Sequence, residues 1–245
     1  MEEVSWARGV QLPVSLRANP LGGAEEDLLE KGSLAMRWKR ISDAVVRRLP
    51  LYLRVLEEAH DQQLMSSQEL GARAGVSSAL VRKDLAWFGE FGKQGVGYET
   101  AYLKDELRKI LNLDKPLPLI LVGVGSLGHA LVRYFRRRFL DDPNFTLELV
   151  GLFDIDADVI GQEVEGIVVQ PLSEMTEMIE QHQVRMAILT VPADAAQQVV
   201  DSMVDAGIKA ILNFAPVKLT VPEDVELADE DLSLELQRLA YYVLD

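Results

Sequence analysis

From residue 41 onward the apolar positions fall into two rhythms, and the change between them divides the chain. In "ISDAVVRRLPLYLRVLEEAHDQQ", Val45, Val46, Leu49, Leu53 and Leu56 recur at helical spacing. Pro50 lies inside that run and predicts a boundary or kink, because proline has no N–H to give an interior helix turn. "MSSQELGARAG" opens on serines followed by an acid and closes on glycine, the signals that start and stop a helix. "VSSALVRKDLAWFG" repeats the scheme, with Val81, Leu85 and Phe88 forming an apolar stripe and Arg82 and Lys83 falling off it. "EFGKQGVGYET" offers two short extended pieces around glycines, a hairpin. Helix, helix, helix, hairpin is the order of a winged helix-turn-helix. "AYLKDELRKILNL" then reads as a linking helix, stopped by "DKPLP".

After residue 116 the rhythm becomes strand–helix alternation. The strands are "LILVG", "LELVGLFD", "IVVQ", "MAILTV" and "AILNF". The helices between and after them are "LGHALVRYFRRRF", "EMTEMIEQH", "ADAAQQVVDSMVDAG" and "DEDLSLELQRLAYYVL". Nearly all-apolar strands alternating with helices predict a parallel sheet covered on both faces. The fold class is therefore α/β: a winged-helix unit over 40–115, a Rossmann-like parallel-sheet unit over 116–229 and a C-terminal helix over 230–245. Residues 1–39 mix Gly, Pro and charge without a period and read as an N-terminal extension, with a short helix at "AEEDLLEKG".

Charge changes this picture in one respect. The 245 residues carry a net charge of −14, which argues at first sight against a nucleic-acid partner. The charge is unevenly spread. Residues 37–93 hold ten Lys and Arg against seven Asp and Glu, whereas residues 94–245 hold twelve against twenty-six. The net-positive stretch is the one with the helix-turn-helix pattern. The chain has no cysteine, which excludes disulfides and thiolate metal sites and fits a reducing cytoplasm. Its opening "MEEVSWARGV" has no apolar core segment of the secretory kind, and no apolar run approaches the ~20 residues that span a bilayer. Neither a membrane nor a metal is expected as a partner.

Gly123, Gly125 and Gly128 make G-x-G-x-x-G between an apolar strand and a helix. There the glycines permit a tight turn and let the backbone of Gly123, Val124, Gly125, Ser126, Leu127 and Gly128 approach a pyrophosphate at the helix N-terminus. An acid ending the next strand suits the ribose hydroxyls of the adenosine. "VGLFDID" supplies Asp154, with Asp156 as second choice. It lies beyond the usual ~20-residue spacing because "RRRFLDDPNF" lengthens the first helix and loop. With no Arg or Lys beside it, that acid favours NAD over NADP. Thr190, Val191 and Pro192 end a later strand where a nicotinamide would lie, and Asn213 ends the next, either to bind the carboxamide or to support a turn. In the winged-helix unit, Arg82 and Lys83 project from the helix that enters the major groove in this motif. Ser66, Ser67, Ser77 and Ser78 can donate to phosphates and can cap helices. Lys93 and Gly95 mark the wing, where a phosphate or the minor groove is within reach. His60, His129 and His182 have no metal-like spacing, and no residue has an evident role in hydride transfer.

The stretches "RRLPLYLRVLEE", "SSQELGARAGVSSALVRKDLAWFGEFGKQGVGY", "LVGVGSLGHAL", "FDID", "LTVPADAAQQVVD", "AGIKAILNFAPVKLTVPEDV" and "DLSLELQRLAYY" resemble the Rex family of redox-sensing transcriptional repressors. The likeness runs from about Ile41 to the C-terminus. It implies a homodimer in which the C-terminal helix is swapped onto the partner, operator DNA bound by the winged helices, and release when NADH rather than NAD⁺ is bound. It also implies a polar switch made by Arg54, Tyr134 and Asp231. Three features depart from the family pattern: the extension of residues 1–39, Gln94 where the wing is commonly basic, and Ser126 where the glycine loop often has Asn. Two other functions fit parts of the sequence. An NAD-dependent dehydrogenase or a CoA-binding domain explains the second half and leaves the first idle. A DNA-binding protein with a purely structural NAD explains both but predicts no redox response.

Overall fold

A computed structural model describes residues 41–59, 61–93 and 95–243. The extension of residues 1–39, its short helix, His60 and the wing residue Gln94 lie outside the described residues.

The first unit runs α1 (Asp43–Val46), α2 (Leu49–Glu57), β1 (Leu64–Met65), α3 (Ser67–Ala74), α4 (Ser78–Leu85), β2 (Gly92–Lys93), β3 (Gly97–Glu99) and α5 (Thr100–Ile110). The boundary expected at Pro50 is present, with the proline in the first turn of α2 where a missing N–H does no harm. Two helix starts are capped by serines: the Ser66 hydroxyl accepts from the Glu69 N–H at 3.1 Å and Ser77 from Leu80 at 3.2 Å. Gly75 ends α3 in the left-handed conformation, φ +74°. A Cβ on Gly71 would lie 2.7 Å from the Val76 carbonyl oxygen, so the turn between α3 and α4 closes only over a glycine. The strands form a small sheet of order β1-β3-β2, in which the two-residue β1 has no sequence signal. Leu49, Tyr52, Leu56, Leu70, Val81, Leu85, Leu103 and Leu107 form one buried core, so the linking helix α5 is part of this unit. Phe88 of the predicted stripe packs only partly buried against it.

The second unit runs β4 (Leu117–Val122), α6 (Ser126–Asp141), β5 (Leu147–Asp154), β6 (Glu163–Val164), β7 (Ile167–Pro171), α7 (Met175–Gln181), β8 (Met186–Leu189), α8 (Ala193–Asp205), β9 (Ala210–Asn213) and β10 (Glu226–Asp229). Its sheet has the order β10-β9-β8-β4-β5-β7-β6. The expected parallel sheet is mixed at one edge: β6 pairs antiparallel with β7 in a hairpin, while the other pairings are parallel. Alternate residues of β4 enter opposite cores. Ile120 and Val122 pack with α7 and α8, and Leu119 and Leu121 pack with α6. Strand β4 has β5 on one side and β8 on the other, so crossovers leave it in both directions and open a crevice at its C-terminal end.

The last helix, α9 (Leu232–Ala240), differs from the rest. Every residue on it is exposed, including Leu232, Leu234, Leu236 and Leu239. No described helix is long and apolar enough to cross a membrane.

Candidate functional site

The crevice at the end of β4 is a cavity of about 900 Å³, within the ~300–1,000 Å³ usual for small-molecule sites. Gly123, Val124, Gly125, Asp154, Asp156, Thr190, Val191 and Pro192 line it. The three glycines have three different reasons to be glycine. Gly123 has φ +96°, and a Cβ there would lie 2.7 Å from the Thr190 backbone. A Cβ on Gly128 would collide with the Gly123 carbonyl, so this glycine lets α6 seat against the loop. A Cβ on Gly125 would meet nothing within 4 Å. That open space in front of Gly125 lies beside the first turn of α6, whose N–H groups a helix cannot satisfy internally. Ser126 and Leu127 are exposed on that first turn, and Gly128 is buried behind it; none of the three is among the lining residues.

The strand ends are stitched around the loop. The Thr190 hydroxyl donates to the Gly123 carbonyl at 2.5 Å. The Asp154 carboxylate accepts from the N–H groups of Val124 at 2.6 Å, Ile155 at 2.7 Å and Asp156 at 2.9 Å. A carboxylate has about four lone-pair positions, so roughly one is left for a ribose hydroxyl. Asp156 is exposed beside it and turns one oxygen to the Asp158 N–H. Apolar side chains that the motif does not indicate complete the wall: Val159, Leu172, Met175 and Val199 from the loops and α7 and α8, and Phe214 and Pro216 beyond β9. Leu172 and Phe214 directly follow strands and Met175 opens α7, which is the hint available for those three; Val159, Val199 and Pro216 carry none.

Of the two roles open to Asn213, the turn is the one its contacts serve. Asn213 is 1% exposed, its amide donates to Asp229 at 2.8 Å and to the carbonyls of Ala215 and Val217, and its oxygen accepts from the Ala215 N–H. Its bonding capacity is consumed in holding the turn after β9, and it does not line the cavity.

A second concave surface, of about 950 Å³, lies between α4 and the wing. Ser66, Ser67, Ser78, Arg82, Lys93 and Gly95 line it. Arg82 donates to the Ser67 hydroxyl at 2.8 Å, which holds the guanidinium at the groove. Lys83 is exposed on α4 outside this groove, and the Ser77 hydroxyl is engaged as a cap. One feature here is absent from the sequence reading. Asp84 on α4 is 1% exposed and is bound by a fork from Arg48, at 2.6 and 2.8 Å, and by the Tyr52 hydroxyl at 2.7 Å. The bond to Asp84 raises the Arg48 guanidinium above its usual range. Burial, then the neighbouring carboxylate, pushes the Tyr52 hydroxyl well up. The signal was available: Asp84 follows Val81 by three residues and so falls on the buried side of α4, where a carboxylate needs a partner.

The three switch residues are not brought together within one chain. Arg54 is exposed on α2. The Tyr134 hydroxyl accepts from Arg138 at 3.1 Å. Asp231 caps α9, accepting from the N–H groups of Ser233 at 2.8 Å and Leu234 at 3.2 Å.

Known proteins share both halves. The family model for a CoA binding domain matches residues 114–217, and that for a putative DNA-binding protein N-terminus matches residues 40–86. The redox-sensing transcriptional repressor Rex of Natranaerobius thermophilus is 43% identical over 204 residues, covering 82% of this chain and 91% of its own. The crystal structure of RSP in complex with beta-NAD⁺ and operator DNA superposes with a TM-score of 0.76 at 40% identity, covering 83% of this chain and 92% of that one. RSP in complex with beta-NADH gives a TM-score of 0.71 at 37% identity, covering 83% and 94%. With this identity over most of its length, the chain belongs to the Rex family of redox-sensing transcriptional repressors.

Proposed function

We propose that the protein binds operator DNA as a homodimer through its winged-helix units and lets go when NADH occupies the cavity at the end of β4. The observation that carries this reading is the presence, in one chain, of a dinucleotide cradle open at Gly125 and a concave groove holding Arg82 and Lys93. Gly125 and the first turn of α6 would hold the pyrophosphate and Asp154 the adenosine ribose, while Thr190–Pro192 and Phe214 would face the nicotinamide. When bound, the dinucleotide contributes a ring whose charge depends on its oxidation state. Val191, Pro192, Phe214 and Pro216 make an apolar surround in which the neutral, reduced ring is the less costly one to bury. A ligand shifts a conformational equilibrium only by such a difference in affinity. The ionisable residues among the lining are Asp154 and Asp156, both on the adenosine side, so the described lining offers no base for hydride chemistry near Thr190.

Two recognition helices must stand about one DNA turn apart, ~34–36 Å, to read both half-sites. The exposed leucines of α9 suit a helix packed on the partner, and that exchange would bring the partner's capping carboxylate toward Arg54 and Tyr134. The lack of cysteine suits a cytoplasmic setting, where redox state must be sensed through a ligand.

The test is operator affinity measured with NADH and with NAD⁺ at equal concentration. NADH should weaken binding and NAD⁺ should not. Equal affinities would leave the nucleotide a structural role, and displacement of NADH by CoA would reassign the cavity.

A further inference from the structure

The winged-helix unit sets a buried carboxylate, Asp84, against the half-buried guanidinium of Arg48, where apolar side chains would pack. Arg48 immediately precedes α2 and Tyr52 lies one turn further on, so both partners of Asp84 come from one short stretch. Desolvating such a pair is expensive, and hydrophobic residues of equal volume often give a core at least as stable. What apolar contacts do not supply is direction. A planar guanidinium meeting a carboxylate through two bonds permits little rotation of one helix about the other. Asp84 follows directly on Arg82 and Lys83, which α4 turns outward. Helix α2 carries the exposed Arg54 two residues beyond Tyr52, on a different side, and packs against α5, which leads into the nucleotide-binding unit.

We propose that Arg48, Asp84 and Tyr52 are positioning residues that fix the rotation of α4 on α2, so that Arg82 and Lys83 move with α2 as one rigid body. This rests on the repressor reading above. Asp84 sits inside the core, and its contribution to DNA binding is the orientation of its neighbours.

The experiment uses the full chain and two probes: the duplex that the wild type enriches from a random-sequence pool, and a random duplex of equal length at the same salt. Asp84→Asn keeps the shape and removes the charge. Its preference for the selected duplex should fall about tenfold or more, the scale of a hydrogen bond to a charged group. Its random-duplex and NADH affinities should stay within about twofold, as expected of sites that share no partner with it. Tyr52→Phe removes one bond, leaves the ion pair and should shift the preference in the same direction; it decides the matter if Asp84→Asn does not fold. The paired variant Arg48→Met with Asp84→Leu fills the core without supplying direction, and should be folded yet still lack the preference. Selected and random duplexes weakening in parallel, or the paired variant regaining the preference along with its stability, would overturn the proposal. Failure of the wild type itself to enrich a sequence, or to release it with NADH, would instead overturn the repressor reading.

Discussion

At the scale of single residues, the glycine loop separates fold from function. Gly125 has φ −73°, a conformation open to any residue, and its missing Cβ faces the cavity. Gly125→Ala should therefore leave stability unchanged or raise it by about 0.4–1 kcal/mol, while the new methyl enters the space a pyrophosphate would take. Gly128→Ala drives a methyl into the Gly123 carbonyl and should cost about 1–3 kcal/mol, as overpacking does. Thermal unfolding alongside NADH titration checks both: the first variant should lose binding without losing stability, the second should lose stability. Gly123 and Gly128 are readable in the sequence because a backbone constraint dictates the residue type, and Gly125 and Asp154 because of their place in a strand–glycine loop–helix motif. Asn213 and Asp84 are not, since what an amide or a carboxylate bonds to is settled by chain segments far away, Asp229 in one case and Arg48 in the other.

At the scale of elements, the long periodic segments were legible and the edges were not. Strands β4, β5, β8 and β9 announce themselves as apolar runs. The two-residue β1 and β6 and the acidic β10 exist through pairing with a neighbour, and no local pattern marks them. Helix α9 was legible as a helix, but its local pattern gives no sign of what covers its leucines; the partner subunit enters only through the family resemblance. The cap of α9 offers a sharp test of coupling. Asp231→Ala removes the cap as well as the charge and should weaken the helix by about 0.5–2 kcal/mol. Asp231→Ser keeps a capping oxygen. If the charge matters to switching, the serine variant should retain the helix and NADH binding yet lose much of the NADH-induced fall in operator affinity, a coupling typically of about 1–3 kcal/mol. Circular dichroism with DNA titration at saturating NADH distinguishes the two, and an unaltered ratio of affinities would remove Asp231 from the switch.

At the scale of the whole molecule, charge is spread unevenly: residues 41–115 hold eleven Lys and Arg against eleven Asp and Glu, and residues 116–245 hold eight against twenty-two. The net excess of acid in the second unit disfavours the approach of a DNA backbone there, which discourages DNA from settling in a wrong orientation. Binding should then depend steeply on salt, log K falling by about 0.9 per phosphate neutralised for each unit of log salt. Lys93 at the wing is exposed and lines the groove. Lys93→Ala should lower the slope by about one per subunit if it neutralises a phosphate; an unchanged slope in a salt series would place it off the backbone.

The bond from Val124 to Asp154 has a consequence for what such a sensor can measure. The carboxylate already braces the glycine loop by itself, and under the proposed binding mode the end of the cavity it organises would hold the adenosine, where the two redox forms of the dinucleotide are chemically identical. Both forms would be gripped there alike and would compete for a single seat. Once the pool is large enough to keep that seat filled, adding more of both changes nothing, because each gain by one is matched by the other. The readout then follows the proportion of reduced to oxidised dinucleotide and is blind to the total. While the seat stays filled, a cell could enlarge or shrink its pool during growth without sending a false signal to its promoters.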